Sequence, residues 1–104
     1  MDKNFYDIVD KAKLKFAARK IMIITHPVRA NIIDLIMKNN SLMVKDIRST
    51  LRLRQTDTSN HLTLMHRNGI VNRKHNGKGV VYTVNMEVIN EIVSVSEDLS
   101  KWEK

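Results

Sequence analysis

The chain of 104 residues contains no cysteine, which excludes disulfides, thiol redox chemistry and thiolate metal sites together. With only 1 proline and 3 glycines, the few chain-breaking residues are informative, and no linker, repeat or low-complexity segment is visible. Long hydrophobic runs are missing too. The longest is Ile21-Met22-Ile23-Ile24, far short of the roughly 18 residues of a membrane span. The opening MDKNFYDIVDK interleaves acids and has no apolar stretch of the kind a secretory signal needs. A cytoplasmic location without membrane contact is expected. The lysines of the first segment (Lys11, Lys13, Lys15, Arg19, Lys20) suit anionic lipid, but Asp7 and Asp10 interrupt them and a core role explains the apolar stripe.

What remains describes one folded domain. Hydrophobic residues make up 42% and charged residues 28%, a balance that supports a single modest core and argues against disorder. The net charge of +7 is unevenly spread. Residues 1–79 carry 16 Lys/Arg against 6 Asp/Glu, whereas residues 80–104 carry 2 against 5. The first part suits a polyanion.

Apolar spacing predicts a first helix over about 4–24, with Phe5, Ile8, Val9, Ala12, Phe16 and Ile23 on one face. Leu14, Ala18 and Ile21 form a second face, so this helix is expected to touch its own core and something else. Thr25-His26-Pro27 breaks the chain, and a second helix to about Lys38 buries Val28, Ile32, Leu35 and Ile36. LMVKDIRSTL (42–51) predicts a short helix with Val44, Ile47 and Leu51 inward. QTDTSNHLTLMHRN (55–68) predicts the next, ended by Gly69. Two β-rich runs then flank Asn-Gly-Lys-Gly, the signature of a hairpin with an Asn-Gly turn. Asn85 suits the cap of a last helix in which Val88, Ile92, Val95, Leu99 and Trp102 recur at coiled-coil steps. The fold expected is mainly α with a β-hairpin (α+β). It is a single winged helix-turn-helix domain, with an added helix over 1–24, the motif and wing over 25–84, and a terminal helix over 85–104.

Five small polar residues in a row, Thr56 to Asn60, follow Gln55 at the start of the helix. A helix entering the major groove reads base edges with its first turns. Gln55 and Asn60 can bond an adenine edge in bidentate fashion, Thr58 and Thr63 offer a hydroxyl and a methyl, and Ser59 a hydroxyl. The plain alternative is that Thr56 to Ser59 only cap the helix, with Asp57 on its N-terminal dipole. The basic hairpin that follows tips the balance toward DNA. Arg73, Lys74, His75 and Lys78 surround a tip that no packing demand explains, and they suit phosphate or the flanking minor groove. An enzyme is not expected: the histidines 26, 61, 66 and 75 fall in no zinc motif, and no glycine-rich phosphate loop occurs. His61 reads as a packing and hydrogen-bonding residue at the DNA-facing edge.

HPVRANIIDLI, LMVKDIRSTL, QTDTSNHLTLMHRNGIV and NGKGVVYTV fall in the order and spacing of the ArsR/SmtB-type winged-helix repressors, which the chain resembles over residues 23–84. Pro27, Arg29, Gln55, Ser59, His61-Leu62, Gly69, Val71, Gly77 and Tyr82 carry the likeness. The resemblance implies a homodimeric DNA-binding regulator, usually a repressor, whose first and last helices build the dimer. Phe5, Leu14, Ile21, Val88, Ile92, Val95, Leu99 and Trp102 would then lie at the interface.

Departures from the family matter as much. Its thiolate sensors carry LCVCDL before the recognition helix, where this chain has Met43 and Lys45 in the cysteine places. A protonated ammonium has no lone pair for a metal. Sensors of a second kind place Asp and His ligands on the last helix, which has no histidine here. No metal or other cofactor is expected. Arg52 stands where glycine is frequent in the turn; a left-handed backbone there would cost roughly 1–2 kcal/mol, so an adjusted turn is expected. The expected mechanism is a symmetric dimer on an imperfect inverted repeat of double-stranded DNA, occluding a promoter. Arg29, Lys45, Arg52, Arg54, Arg73, Lys74 and Lys78 are the candidate phosphate contacts. Two rivals stand beside it: a winged helix used as a protein-binding module, and a metal-responsive repressor with a non-standard site.

Overall fold

The computed structural model describes residues 11–100; the expectations for Phe5 and Trp102 fall outside them, and for Leu99 only the backbone is described. The order is α1 (Lys11–Ile24), α2 (Pro27–Asn39), β1 (Leu42–Met43), α3 (Val44–Leu51), α4 (Gln55–Arg67), β2 (Val71–Asn76), β3 (Gly79–Val84) and α5 (Met86–Ser100). This is the winged helix-turn-helix expected, with five helices and one antiparallel sheet, in the order β1-β3-β2, among the described residues.

Local chemistry fixes most boundaries. Pro27 opens α2, where its missing N–H is not needed. His26 caps it, with Nδ1 accepting from the Val28 N–H at 3.2 Å. The helix gives way at Asn40, whose φ of 66° an asparagine tolerates better than most residues. Gly69 ends α4 at φ 72°, and the Ile70 N–H closes back on the Met65 carbonyl at 2.9 Å, a Schellman closure. Asn85 caps α5 through Oδ1, which accepts from the Val88 N–H at 3.3 Å.

Three expectations are corrected. Leu42 and Met43 do not begin a helix. They pair with Tyr82 and Val81 as a third strand, and α3 starts only at Val44. Two residues are too few to show a period-2 pattern, while the helical spacing of Val44, Ile47 and Leu51 runs on past them. The hairpin loop is Gly77-Lys78, not Asn76-Gly77, because Asn76 pairs with Gly79. Asn76 instead shapes the loop with its side chain, Oδ1 accepting from the Lys78 N–H at 3.0 Å. Gly79 takes the positive φ of 143°, and a methyl there would lie 2.9 Å from Met43 Cε. Arg52 is not relieved by an adjusted turn. It sits in the left-handed region at φ 54°, ψ 48°, with the Leu53 N–H on the Arg48 carbonyl at 3.0 Å. That closure, and the packing of Leu53 against the core, hold it there.

The core lies between α2, α3, α4 and the sheet. Ile32, Ile36, Ile47, Leu62, Met65 and Ile70 are completely buried, with Tyr82 closing it from β3. Burying an aliphatic side chain of this size stabilises by roughly 1.5–3 kcal/mol, so these residues fix how α4 is presented.

Candidate nucleic-acid interface

The core divides α4 into two faces. Thr58, Leu62 and Met65, spaced at four and three residues, are buried. Opposite them Thr56, Asn60, Thr63 and Arg67 form a stripe along the outer face, flanked by Gln55 and Ser59. All but the half-buried Thr63 are exposed. Among the described residues, none of the side chains of Gln55, Thr56, Ser59 and Asn60 is hydrogen-bonded or capping. The N-cap is Arg54, with no side-chain cap bond. The polar run therefore does not serve the helix end; it is presented outward.

Thr58 is a correction. Expected at a base, it is fully buried, and its hydroxyl donates to the Arg54 carbonyl at 2.8 Å. A threonine in a polar run carries no mark of which way it faces; only the spacing to Leu62 and Met65 tells. Arg29 is a second. Expected on phosphate, it is half-buried, with Nε donating to the Ile23 carbonyl at 2.6 Å and Nη1 3.3 Å from His61 Nδ1. His61, expected at the DNA-facing edge, is turned toward this pair, its ring 5.0 Å from that of His26. Burial, then Arg29 and His26, hold its pKa below the ordinary 6.5, against a smaller opposing pull from Asp57.

The remaining candidate contacts are exposed: Lys45 on α3, Arg52 and Arg54 in the turn, and Arg73, Lys74, His75 and Lys78 on the wing. The register separates the wing residues. Arg73 lies opposite Tyr82 and His75 opposite Val80, on the face that begins with buried Val71; Lys74 lies opposite Val81 on the other face. Lys78 sits in the loop. The wing thus offers positive charge from both faces and its tip.

Two basic residues were not singled out from the sequence. Arg67 continues the outer stripe of α4, eleven residues and about 16 Å beyond Thr56. Extending the Thr56, Asn60, Thr63 spacing by one step would have found it. Arg48 on α3 is half-buried, and its Nε has no hydrogen-bond partner. Nothing in its spacing marks it.

At the other end of the molecule α1 packs on α5. Ile92, expected between subunits, is buried within the chain in the seam with Ala17, Lys20 and Val95. Val88 packs against the main core. The coiled-coil steps of α5 are thus used first by α1 of the same chain. Leu14, Ile21 and Val95 stay half-buried. On α1 the face shared by Phe16 and Ile23 is split: Ile23 is buried in the core and Phe16 is 60% exposed, while Lys20 is buried with its ammonium 3.7 Å from the Phe16 ring centre. Lys20 lies one turn after Phe16, so its stem follows the helix surface into the seam and its charge rests on the ring.

Among the described residues, no group of three or more His, Asp or Glu side chains is placed to hold a metal ion, and no helix is long and apolar enough to cross a membrane. No protein-family model and no curated protein sequence matches the chain. Solved structures do. The transcriptional repressor PagR of Bacillus anthracis superposes with a TM-score of 0.70 at 26% identity, over 83% of this chain and 99% of that one. HlyU from Vibrio cholerae N16961 gives 0.71 at 26%, over 85% and 96%. An ArsR-like transcriptional regulator from Rhodococcus sp. RHA1 gives 0.77 over 88% and 87%, and its 14% identity speaks for the fold alone. The chain thus has a winged helix-turn-helix fold, similar to the folds of these transcriptional regulators.

Proposed function

We propose that the chain is a sequence-specific DNA-binding transcriptional regulator that acts as a homodimer, represses, and binds an inverted-repeat operator. One observation carries this reading: the outer face of α4 presents unengaged polar side chains while its inner face is locked into the core. Gln55 and Asn60 then read adenine edges, Thr56 and Thr63 supply hydroxyl and methyl groups, and Ser59 reaches base or phosphate. Arg52, Arg54, Lys45, Arg67 and the wing residues Arg73, Lys74, His75 and Lys78 hold the backbone. Similarity to PagR, a transcriptional repressor, supports the direction of regulation.

The homodimer rests on what α1 and α5 leave uncovered. Phe16 and Met22 of α1 are 60% and 74% exposed, and Val93 of α5 is 48% exposed. A twofold partner covering this layer would set two α4 helices about 34–36 Å apart, in successive major grooves. The test is binding to the intergenic DNA upstream of the protein's own gene and to a scrambled duplex, from about 50 to 200 mM salt. A preference for the native fragment that persists at the upper end is expected. No binding to either duplex, even at low salt, would sink this reading.

A further inference from the structure

A cluster of three side chains ties α4 to the rest of the body. The Arg29 guanidinium bridges two elements, donating from Nε to the last turn of α1 at the Ile23 carbonyl and facing His61 Nδ1 on α4 from Nη1. His26, in the turn between α1 and α2, stacks obliquely on His61 at 5.0 Å. We propose that Arg29 and His61 are positioning residues that set α4 against α1 and α2, and that this hold needs an unprotonated His61, so that acid loosens the recognition helix.

The chemistry follows from donors and acceptors. A guanidinium has N–H donors and no acceptor, so its contact with Nδ1 is attractive only while that nitrogen keeps its lone pair. His61 must then be neutral, with its proton on Nε2. The His26 Nδ1 lone pair is already occupied by the Val28 N–H at 3.2 Å. Adding a proton to His61 turns its acceptor into a donor aimed at a cation and sets a second charge beside the His26 ring. Three titratable or charged groups bear on His61: Arg29 from α2, His26 from the turn, and Asp57 one turn back on α4. From α1 the cluster receives a carbonyl. Arg29 and His26 oppose the proton, Asp57 favours it, and burial opposes it most.

The sign follows. His61 titrates lower in the folded chain than its ordinary 6.5, so the unfolded chain binds the proton more readily. Stability from the cluster is complete above about pH 6.5 and is lost as pH falls from there through the lowered value. On α4 the neighbours of His61 are Asn60 and, two residues on, Thr63, so displacement of this turn moves the outward stripe.

The test uses the full chain and His61→Asn, whose amide oxygen takes the place of Nδ1 and does not titrate. Thermal unfolding and binding to the upstream DNA fragment are followed from pH 7.5 to 5.0 at fixed salt. The two proteins differ only at position 61, so every other side chain is common to both. The wild-type melting temperature should fall more steeply than that of the variant below about pH 6.5. Its Kd should rise by roughly threefold to tenfold more, since a proton that must leave on binding costs up to about tenfold per pH unit. Parallel profiles in both measurements would overturn the proposal. The DNA measurement rests on the regulator reading, while the unfolding curves do not. If neither protein binds DNA at pH 7.5, that reading fails and the melting profiles alone decide the cluster. Should His61→Asn not fold, Arg29→Gln replaces it: removing the opposing charge should flatten the profile, and an unchanged slope would contradict the inference.

Discussion

The body of the molecule and its α1–α5 layer obey opposite patterns. In the body, between α2, α3, α4 and the sheet, Ile32, Ile36, Ile47 and Leu62 are fully buried and the lysines and arginines of the wing are exposed. In the terminal layer a lysine, Lys20, is 6% exposed, while Phe16 and Met22 are 60% and 74% exposed. The body completes its core within one chain. The layer leaves large apolar side chains in water, and a shallow hollow of about 330 Å³ lined by Ala12, Lys15, Phe16 and Arg19 opens beside them. Single exposed hydrophobics need no explanation, but several on two packed helices point to a surface used elsewhere.

Four substitutions sharpen that contrast, from the largest effect to the smallest. Ile36→Ala in the body should cost about 2–5 kcal/mol in urea unfolding, by lost burial and the cavity left behind. Phe16→Ala should cost about 2 kcal/mol at the dimer, read as a shift in sedimentation with concentration. Unfolding of the isolated chain should lose less, about 0.5–1 kcal/mol for the Lys20 contact within the chain; an equal loss in both would mean that Phe16 serves the fold alone. Arg52→Gly should raise stability by about 1 kcal/mol by relieving the positive φ, and weaken DNA binding by removing a cation. The two opposite signs in one variant separate backbone from charge. Asp34→Ala breaks the exposed i,i+4 pair with Lys38, 2.8 Å apart, and should change the melting point by no more than about 0.3–0.5 kcal/mol allows.

Legibility in the sequence followed the strength of local signals. Pro27, Gly69 and Asn85 mark the starts and stops of α2, α4 and α5, and each does so through backbone chemistry that needs no distant partner. The order of the helices and the hairpin, and the outward polar start of α4, are readable for the same reason. What could not be read depends on contacts between distant residues. The pairing of Leu42 with Tyr82 spans forty positions and involves two residues. Arg29 and His61 lie thirty-two apart, so neither spacing nor charge shows that they meet. Thr58 and Lys20 mislead because polar residues are assumed to face water. In the fold a backbone carbonyl satisfies the first and an aromatic ring covers the second. The coiled-coil spacing of α5 was visible, but not that α1 of the same chain takes Ile92.

In the proposed interface labour is divided, with α4 reading bases from its outer face and the wing holding phosphate. The most direct test compares Asn60→Ala and Lys78→Ala with the wild type, on the native upstream fragment and a scrambled duplex, across salt. Asn60→Ala should lose about 1–3 kcal/mol of discrimination and keep the salt slope. Lys78→Ala should keep discrimination and lower the slope of log K against log salt by about 0.9. If Asn60→Ala left discrimination intact while binding persisted, the outer face of α4 would not be the reading surface, and the account built on it would fail.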